Sequence, residues 1–247
     1  MLRSLLNTTI FLFALASNVI GQNLTFYGFL PVFNQTGRIS NKFNYNLFLS
    51  STFDAFKQTT NGISYPATDL QLYIQPSVIY VYSPNLNFSG SYTYQRNNPI
   101  NENSTNEHRL WQQTIFSLNL KKGKMTNRFR FEERFIQNKS FNTYPLSTRL
   151  RYQIGLNRPL QGKTLDKNEF YFNGYNEFYF SLTGNKNATY SENWSYLGIG
   201  YDIGKFGKLE LGYLFQTLVR NKVHDLRLLN LAQIAWITNF NFKKKTN

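Results

Sequence analysis

Apolar and polar residues alternate one by one along most of this chain, and a period of two is the repeat of a β-strand whose faces meet different surroundings. In 128–135 the even positions Arg128, Arg130, Glu132 and Arg134 are charged, while Phe129, Phe131 and Phe135 occupy odd positions and Glu133 breaks the pattern. In 147–157, Arg149, Arg151, Gln153 and Asn157 oppose Leu150, Tyr152, Ile154 and Leu156. In 169–182, Glu169, Asn173, Glu177 and Ser181 oppose Phe170, Phe172, Phe178, Phe180 and Leu182. In 208–216, Lys208, Glu210, Gly212 and Gln216 oppose Leu209, Leu211, Tyr213 and Phe215. Segments 24–34, 42–53, 69–83, 86–96, 107–120, 193–203 and 226–242 read as further strands.

Several of these segments exceed the usual length of a globular strand and suit a tilted strand crossing a bilayer. Their connections alternate in size. Short ones lie at Gly37-Arg38, Ser83-Pro84-Asn85, Lys121 to Lys124 and Gly204 to Gly207. Longer polar ones span 54–68, 97–106, 138–146, 184–192 and 219–225, with a middling turn from Pro159 to Lys167. Short turns at one rim and long loops at the other are the habit of outer-membrane barrels. Closed bacterial barrels have an even strand number, so eleven segments predict twelve strands, with ten as the alternative.

Composition separates a barrel from a soluble sandwich. Aromatic residues make up 17% of the 247-residue chain, with 23 Phe, 17 Tyr and 3 Trp, yet the mean hydropathy is −0.43. A sandwich turns its apolar faces toward each other and its polar faces to water. A lipid-facing barrel needs outward rings and a wet interior. The expected fold is therefore all-β, a closed antiparallel transmembrane β-barrel. The first residues are excluded from it. Arg3, the apolar run from Ile10 to Ala16 and Val19-Ile20-Gly21 have the layout of a cleaved signal peptide over 1–21. The barrel domain then occupies 22–247, with no transmembrane helix after the leader. With no cysteine, an exported chain is held by backbone pairing and packing. The segment Asn239-Phe240-Asn241-Phe242 resembles the aromatic ending read by the barrel-assembly machinery, although the tail Lys243 to Asn247 follows it.

The net charge of +14 suggests nucleic acid, but no recognition motif occurs and the arginines lie within alternating strands. Parity instead gathers them inside. Arg109, Arg128, Arg130, Arg134, Arg149 and Arg151 share the polar face with Glu107, Glu132, Glu169, Glu177, Asp202 and Glu210. Cross-strand pairing is natural at such positions, and arginine's planar fork bridges carboxylates. A small barrel fills its interior with side chains, so a nearly balanced set predicts an ion-paired, largely filled lumen rather than a wide channel. Lys42, Lys121, Lys122, Lys124, Lys163, Lys167, Lys205, Lys208 and Lys243 to Lys245 crowd the short-turn rim, as a solvated edge or an attraction for anionic headgroups.

No catalytic grouping emerges. His108 falls on an outward position and His224 in a loop, and no Ser stands in a local group with His and Asn. No His or acidic cluster has ligand spacing, so neither metal nor cofactor is expected.

Glu107-His108-Arg109-Leu110-Trp111-Gln112-Gln113, the stretch Arg128 to Phe135, and Arg149-Leu150-Arg151-Tyr152 resemble the bacterial family catalogued as domain of unknown function 2490. So do Asn176-Glu177-Phe178 and the stretch Glu210 to Gln216, and the likeness runs in order from about residue 24 to the end. The resemblance implies a barrel-like outer-membrane protein frequent in Bacteroidetes-type bacteria, and it brings no catalytic residue. Three functions stay open: a non-enzymatic barrel, structural or a narrow conduit for small solutes; a barrel enzyme acting on lipid or lipopolysaccharide; and a surface binding module using the long loops. The expected setting is the outer membrane, with membrane lipid and the assembly machinery as partners and a monomeric state.

Overall fold

The structure, a computed structural model, describes residues 23–60, 63–184 and 186–240. The expected leader 1–21 and Phe242 of the expected assembly signal lie outside them. The remainder is a closed barrel of eleven strands with one small hairpin beside it. The barrel strands are β1 (Leu24–Arg38), β2 (Phe43–Asp54), β5 (Asp69–Ser83), β6 (Leu86–Asn97), β7 (Thr105–Asn119) and β8 (Lys124–Ile136). They continue with β9 (Leu146–Pro159), β10 (Phe170–Ser181), β11 (Tyr190–Asp202), β12 (Lys208–Val219) and β13 (Leu226–Asn239). The hairpin, β3 (Gln58–Thr60) with β4 (Ile63–Tyr65), belongs to the loop between β2 and β5.

Each of the eleven alternating segments is thus a wall strand, and the expectation of twelve strands is corrected to eleven. The even-number rule assumes that every neighbour is antiparallel. Here β1 pairs with β13 in parallel, from Leu24 opposite Arg227 to Thr36 opposite Asn239. An odd wall closes only in this way, so the barrel is mixed rather than wholly antiparallel. The same arithmetic puts Leu24 at the long-loop rim and Asn239 at the short-turn rim. Tight turns at the short rim use residues that tolerate unusual backbone: Gly123, between β7 and β8, has φ of 92°, a conformation open to glycine at no steric cost.

Alternation sorts the two faces. Tyr27, Phe29, Val78, Phe129, Leu197, Ile199, Leu211, Tyr213 and Ile234 are exposed on the outer surface. By strand parity, the outward charged residues among the described strands are Arg96, Glu133 and Arg158, each within three residues of its strand's end. The middle of the outer wall is therefore an uncharged belt. Outward amides within it satisfy one another: Asn176 Nδ2 donates to Ser195 Oγ at 2.6 Å, and Asn193 Nδ2 donates to Asn176 Oδ1 at 2.9 Å.

The inside carries an apolar cluster of its own. Leu24, Phe26 and Leu30 of β1 pack with Tyr196, Leu214, Leu229 and Leu231 of β11–β13. Tyr65, at the end of the hairpin, meets Phe26 edge-on with ring centroids 6.0 Å apart. The loop between β2 and β5 thus folds back onto the apolar side of the lumen mouth.

Candidate functional site in the barrel lumen

Strands β7 to β11 bring arginine and glutamate together because their inward positions fall side by side in the register. Glu132 of β8 stands opposite Trp111 of β7 and Arg149 of β9. Arg151 of β9 stands opposite Arg130 on one side and Tyr179 on the other. Two inward pairs, Arg109 with Arg134 and Arg130 with Arg151, set like charges directly across from each other. Such pairs destabilise a sheet unless something intervenes.

Carboxylates intervene. Glu107 binds Arg109, whose Nη2 lies 2.6 Å from its Oε1, and receives both arms of the Arg134 fork at 2.7 and 2.9 Å. Glu132, with 0% of its surface exposed, is the hub. Arg149 Nη2 approaches it to 2.6 Å, Arg151 Nη1 to 2.7 Å, Arg109 Nη1 to 3.5 Å and Arg130 Nη1 to 3.8 Å. Glu177 accepts from Arg128 at 2.6 Å and from Arg151 at 2.7 Å. Glu192 of β11 holds the far arm of Arg149 at 2.7 Å. Charge-assisted bonds of this length are the strong class, and burial of the ions makes each dependent on its partners.

Aromatic rings and amides complete the wall. Arg130 lies over the Trp111 indole, 3.9 Å from guanidinium carbon to ring centroid, a cation–π contact. Its Nε and Nη2 donate to Gln113 Oε1 at 2.9 and 2.8 Å. Trp111 Nε1 donates to Gln75 Oε1 and Thr93 Oγ1, both at 3.1 Å. Tyr179 sits under Arg149 and Arg151 and donates to Glu177 Oε2 at 3.1 Å.

Three of the acids singled out from the sequence stand elsewhere. Glu169 precedes β10 in the turn, where its Oε2 accepts from the backbone of Asp166. Asp202 ends β11 at the short-turn rim, 3.9 Å from Lys208 Nζ. Glu210 is inside and buried, but it meets neutral donors: Tyr196 Oη at 2.7 Å and Asn173 Nδ2 at 3.1 Å. The Tyr196 ring reaches it by lying flat over Gly198 and Gly212, where any Cβ would collide with the phenol. Sequence reasoning missed Glu192, just before the segment beginning at 193, and the inward rings of Trp111, Tyr179 and Trp194. It also missed the apolar inner wall. The near-continuous apolar stretches 24–33 and 226–237 were the available sign, because a strand buried on both faces loses its alternation.

Between the walls lies a cavity of about 660 Å³. One side carries the six arginines of β7 to β9, and the other Leu30, Val32, Leu214, Leu218 and Leu229, with Arg227 of β13 among them. His108 is remote from it on the outer wall, its Nδ1 2.6 Å from Tyr92 Oη. Among the described residues no group of three His, Asp or Glu side chains is placed to hold a metal ion.

Compared with known families, residues 33–227 match the one described as "Protein of unknown function (DUF2490)". The chain belongs to the DUF2490 family. The lumen network falls within the matched span, while most of β13 and the start of β1 extend beyond it. No curated protein matches the chain.

Proposed function

We propose that this DUF2490 protein is an outer-membrane β-barrel without enzymatic activity, a structural barrel whose narrow lumen admits small solutes and does not conduct freely. The observation that carries the reading is the inward Arg–Glu network from β7 to β11, which narrows the lumen from one side with largely paired charge. The uncharged outer belt, rich in exposed Phe, Tyr, Leu and Ile, suits hydrocarbon far better than water. Its charged outward residues fall near the rims, where headgroups and water lie. In this reading a signal peptide over 1–21 exports the chain, the assembly machinery inserts it, lipid is its main partner, and it works as a monomer.

The non-enzymatic assignment rests on how the buried carboxylates are used. Glu107, Glu132 and Glu177 each bind two or more arginines, so their lone pairs are engaged and none is poised to take a proton from a substrate.

Two measurements test the proposal. Heat-modifiable gel mobility in the membrane fraction is expected. A monomer that stays folded in buffer without detergent would remove the membrane assignment. In planar bilayers the purified protein should give small or no steady current, and sizeable open-channel conductance would remove the filled lumen.

A further inference from the structure

The lumen is two-sided in a way that a filled scaffold does not require. In the order β1-β13-β12-β11-β10-β9-β8-β7-β6-β5-β2, β8 stands five strands from β13 in one direction and five from β1 in the other. The strand carrying Arg128 and Arg130 therefore faces the β1–β13 seam across the barrel. The seam and its neighbour β12 present Leu30, Val32, Leu214, Leu218 and Leu229 to the same cavity.

Charge on the polar side does not balance. Six arginines, Arg109, Arg128, Arg130, Arg134, Arg149 and Arg151, share four glutamates, Glu107, Glu132, Glu177 and Glu192. The surplus localises. Arg130 has no carboxylate oxygen nearer than 3.8 Å and leans on neutral Gln113 and Gln75. Arg128 keeps one contact, to Glu177, and 19% of its side chain stays exposed. Three cavity-lining donors, Arg128 Nε, Arg227 Nε and Trp194 Nε1, are buried without an acceptor among the described residues. Buried donors of this kind are rare and call for a partner.

The geometry points to a binding site for a medium-chain alkyl carboxylate, its anionic end toward Arg128 and Arg130 and its hydrocarbon chain along the β1–β13–β12 wall. The site rests on the proposed reading that the lumen is narrow and closed to free flow. A guanidinium fork suits a carboxylate, the facing leucines suit an acyl chain, and about 660 Å³ lies within the span of small-molecule pockets.

The test is isothermal titration of the refolded full chain in nonionic detergent with decanoate, decanol and inorganic phosphate, using empty micelles as reference. One decanoate per barrel is expected. Decanol, which lacks the charge, and phosphate, which lacks the chain, should each bind at least roughly ten-fold more weakly. The Arg128→Gln/Arg130→Gln double variant, checked for folding by heat-modifiable mobility, should lose roughly ten-fold or more. Decanoate uptake no greater than by empty micelles would overturn the site, as would unchanged binding by the double variant. Phosphate binding equal to decanoate would overturn the acyl-chain half. If the double variant does not fold, Leu218→Asp, which spares the arginines, is read in its place, and undiminished decanoate binding there overturns the proposal. Folding without detergent would remove the membrane reading alone, and the titration is then run in buffer with the same criteria.

Discussion

Neutralising Glu132 should destabilise this barrel more than any comparable change to a lumen carboxylate. Glu132 is wholly buried and touches Arg149, Arg151, Arg109 and Arg130 at 2.6, 2.7, 3.5 and 3.8 Å. Glu132→Gln preserves size and planarity, so the loss reports charge. Removing one member of a buried ion network leaves its partners charged and desolvated, at a cost of about 3–5 kcal/mol. With a guanidinium m-value of roughly 4 kcal/mol/M, the unfolding midpoint should fall by about 1 M. Glu210→Gln is the internal control, because Glu210 binds neutral donors from Tyr196 and Asn173. Its loss should be about 1–2 kcal/mol, smaller than that of Glu132→Gln. The assay is tryptophan fluorescence against guanidinium in detergent micelles, with Trp111 and Trp194 as lumen reporters. Adding Arg130→Met to Glu132→Gln removes the guanidinium whose nearest carboxylate was Glu132 and should recover part of the midpoint. An unmoved Glu132→Gln midpoint, or a larger effect from Glu210→Gln, would refute the hub.

Three further outcomes are expected. Gly212→Val places a side chain where the Tyr196 ring lies; it should lower stability by about 1–3 kcal/mol through overpacking, read as an unfolding midpoint, whereas Gly90→Val, whose Cβ would meet the Trp111 carbonyl at an ordinary 3.9 Å, should change it little. Trp111→Phe removes the donor shared by Gln75 and Thr93 and weakens the Arg130 stack; a loss of about 1–3 kcal/mol follows, and chemical denaturation at wild-type midpoint would contradict it. Hydrogen exchange followed by mass spectrometry should find β1 amides less protected than those of β8 and β9, because β1 has one parallel neighbour and parallel pairing is slightly weaker per residue; equal or greater protection of β1 would count against a weak seam.

Strand placement was open to reading in the sequence because each strand separates hydrocarbon-suited from polar residues, and that separation is strictly local. Most of the wall strands appear as alternating segments for this reason, while β1 and β13 appear as near-continuous apolar runs. The strand total was misjudged because parity reports faces and says nothing of which ends meet. Only the pairing of β1 with β13 fixes closure, and no feature of 24–34 or 226–242 announces a parallel neighbour. In the lumen, parity put six arginines on one face, and the structure brings all six into contact with glutamate. It could not give depth along the barrel. Glu169 and Asp202 share the inward parity and still fall at the short-turn end, outside the network. Glu192 was passed over because Ser191 and Asn193 blur the alternation around it.

The apolar inner wall and the parallel seam belong together physically. A parallel ladder gains slightly less from its hydrogen bonds, so the strands forming it profit most from packing on both faces. Outside, β1 and β13 present Tyr27, Phe29, Ile234 and Trp236; inside, they present Phe26, Leu30, Leu229 and Leu231. Charge placed there would meet the seam's own apolar neighbours and lose its hydration without gaining partners. The paired ionic residues are accordingly gathered on β7 to β11, where antiparallel register sets their side chains opposite one another, while Glu210 of β12 and Arg227 of β13 stand apart from that network. A barrel that closes with an odd number of strands is in this way driven toward a lumen with one greasy side and one charged side. That division makes its cavity suited to an amphipathic molecule rather than to a simple ion.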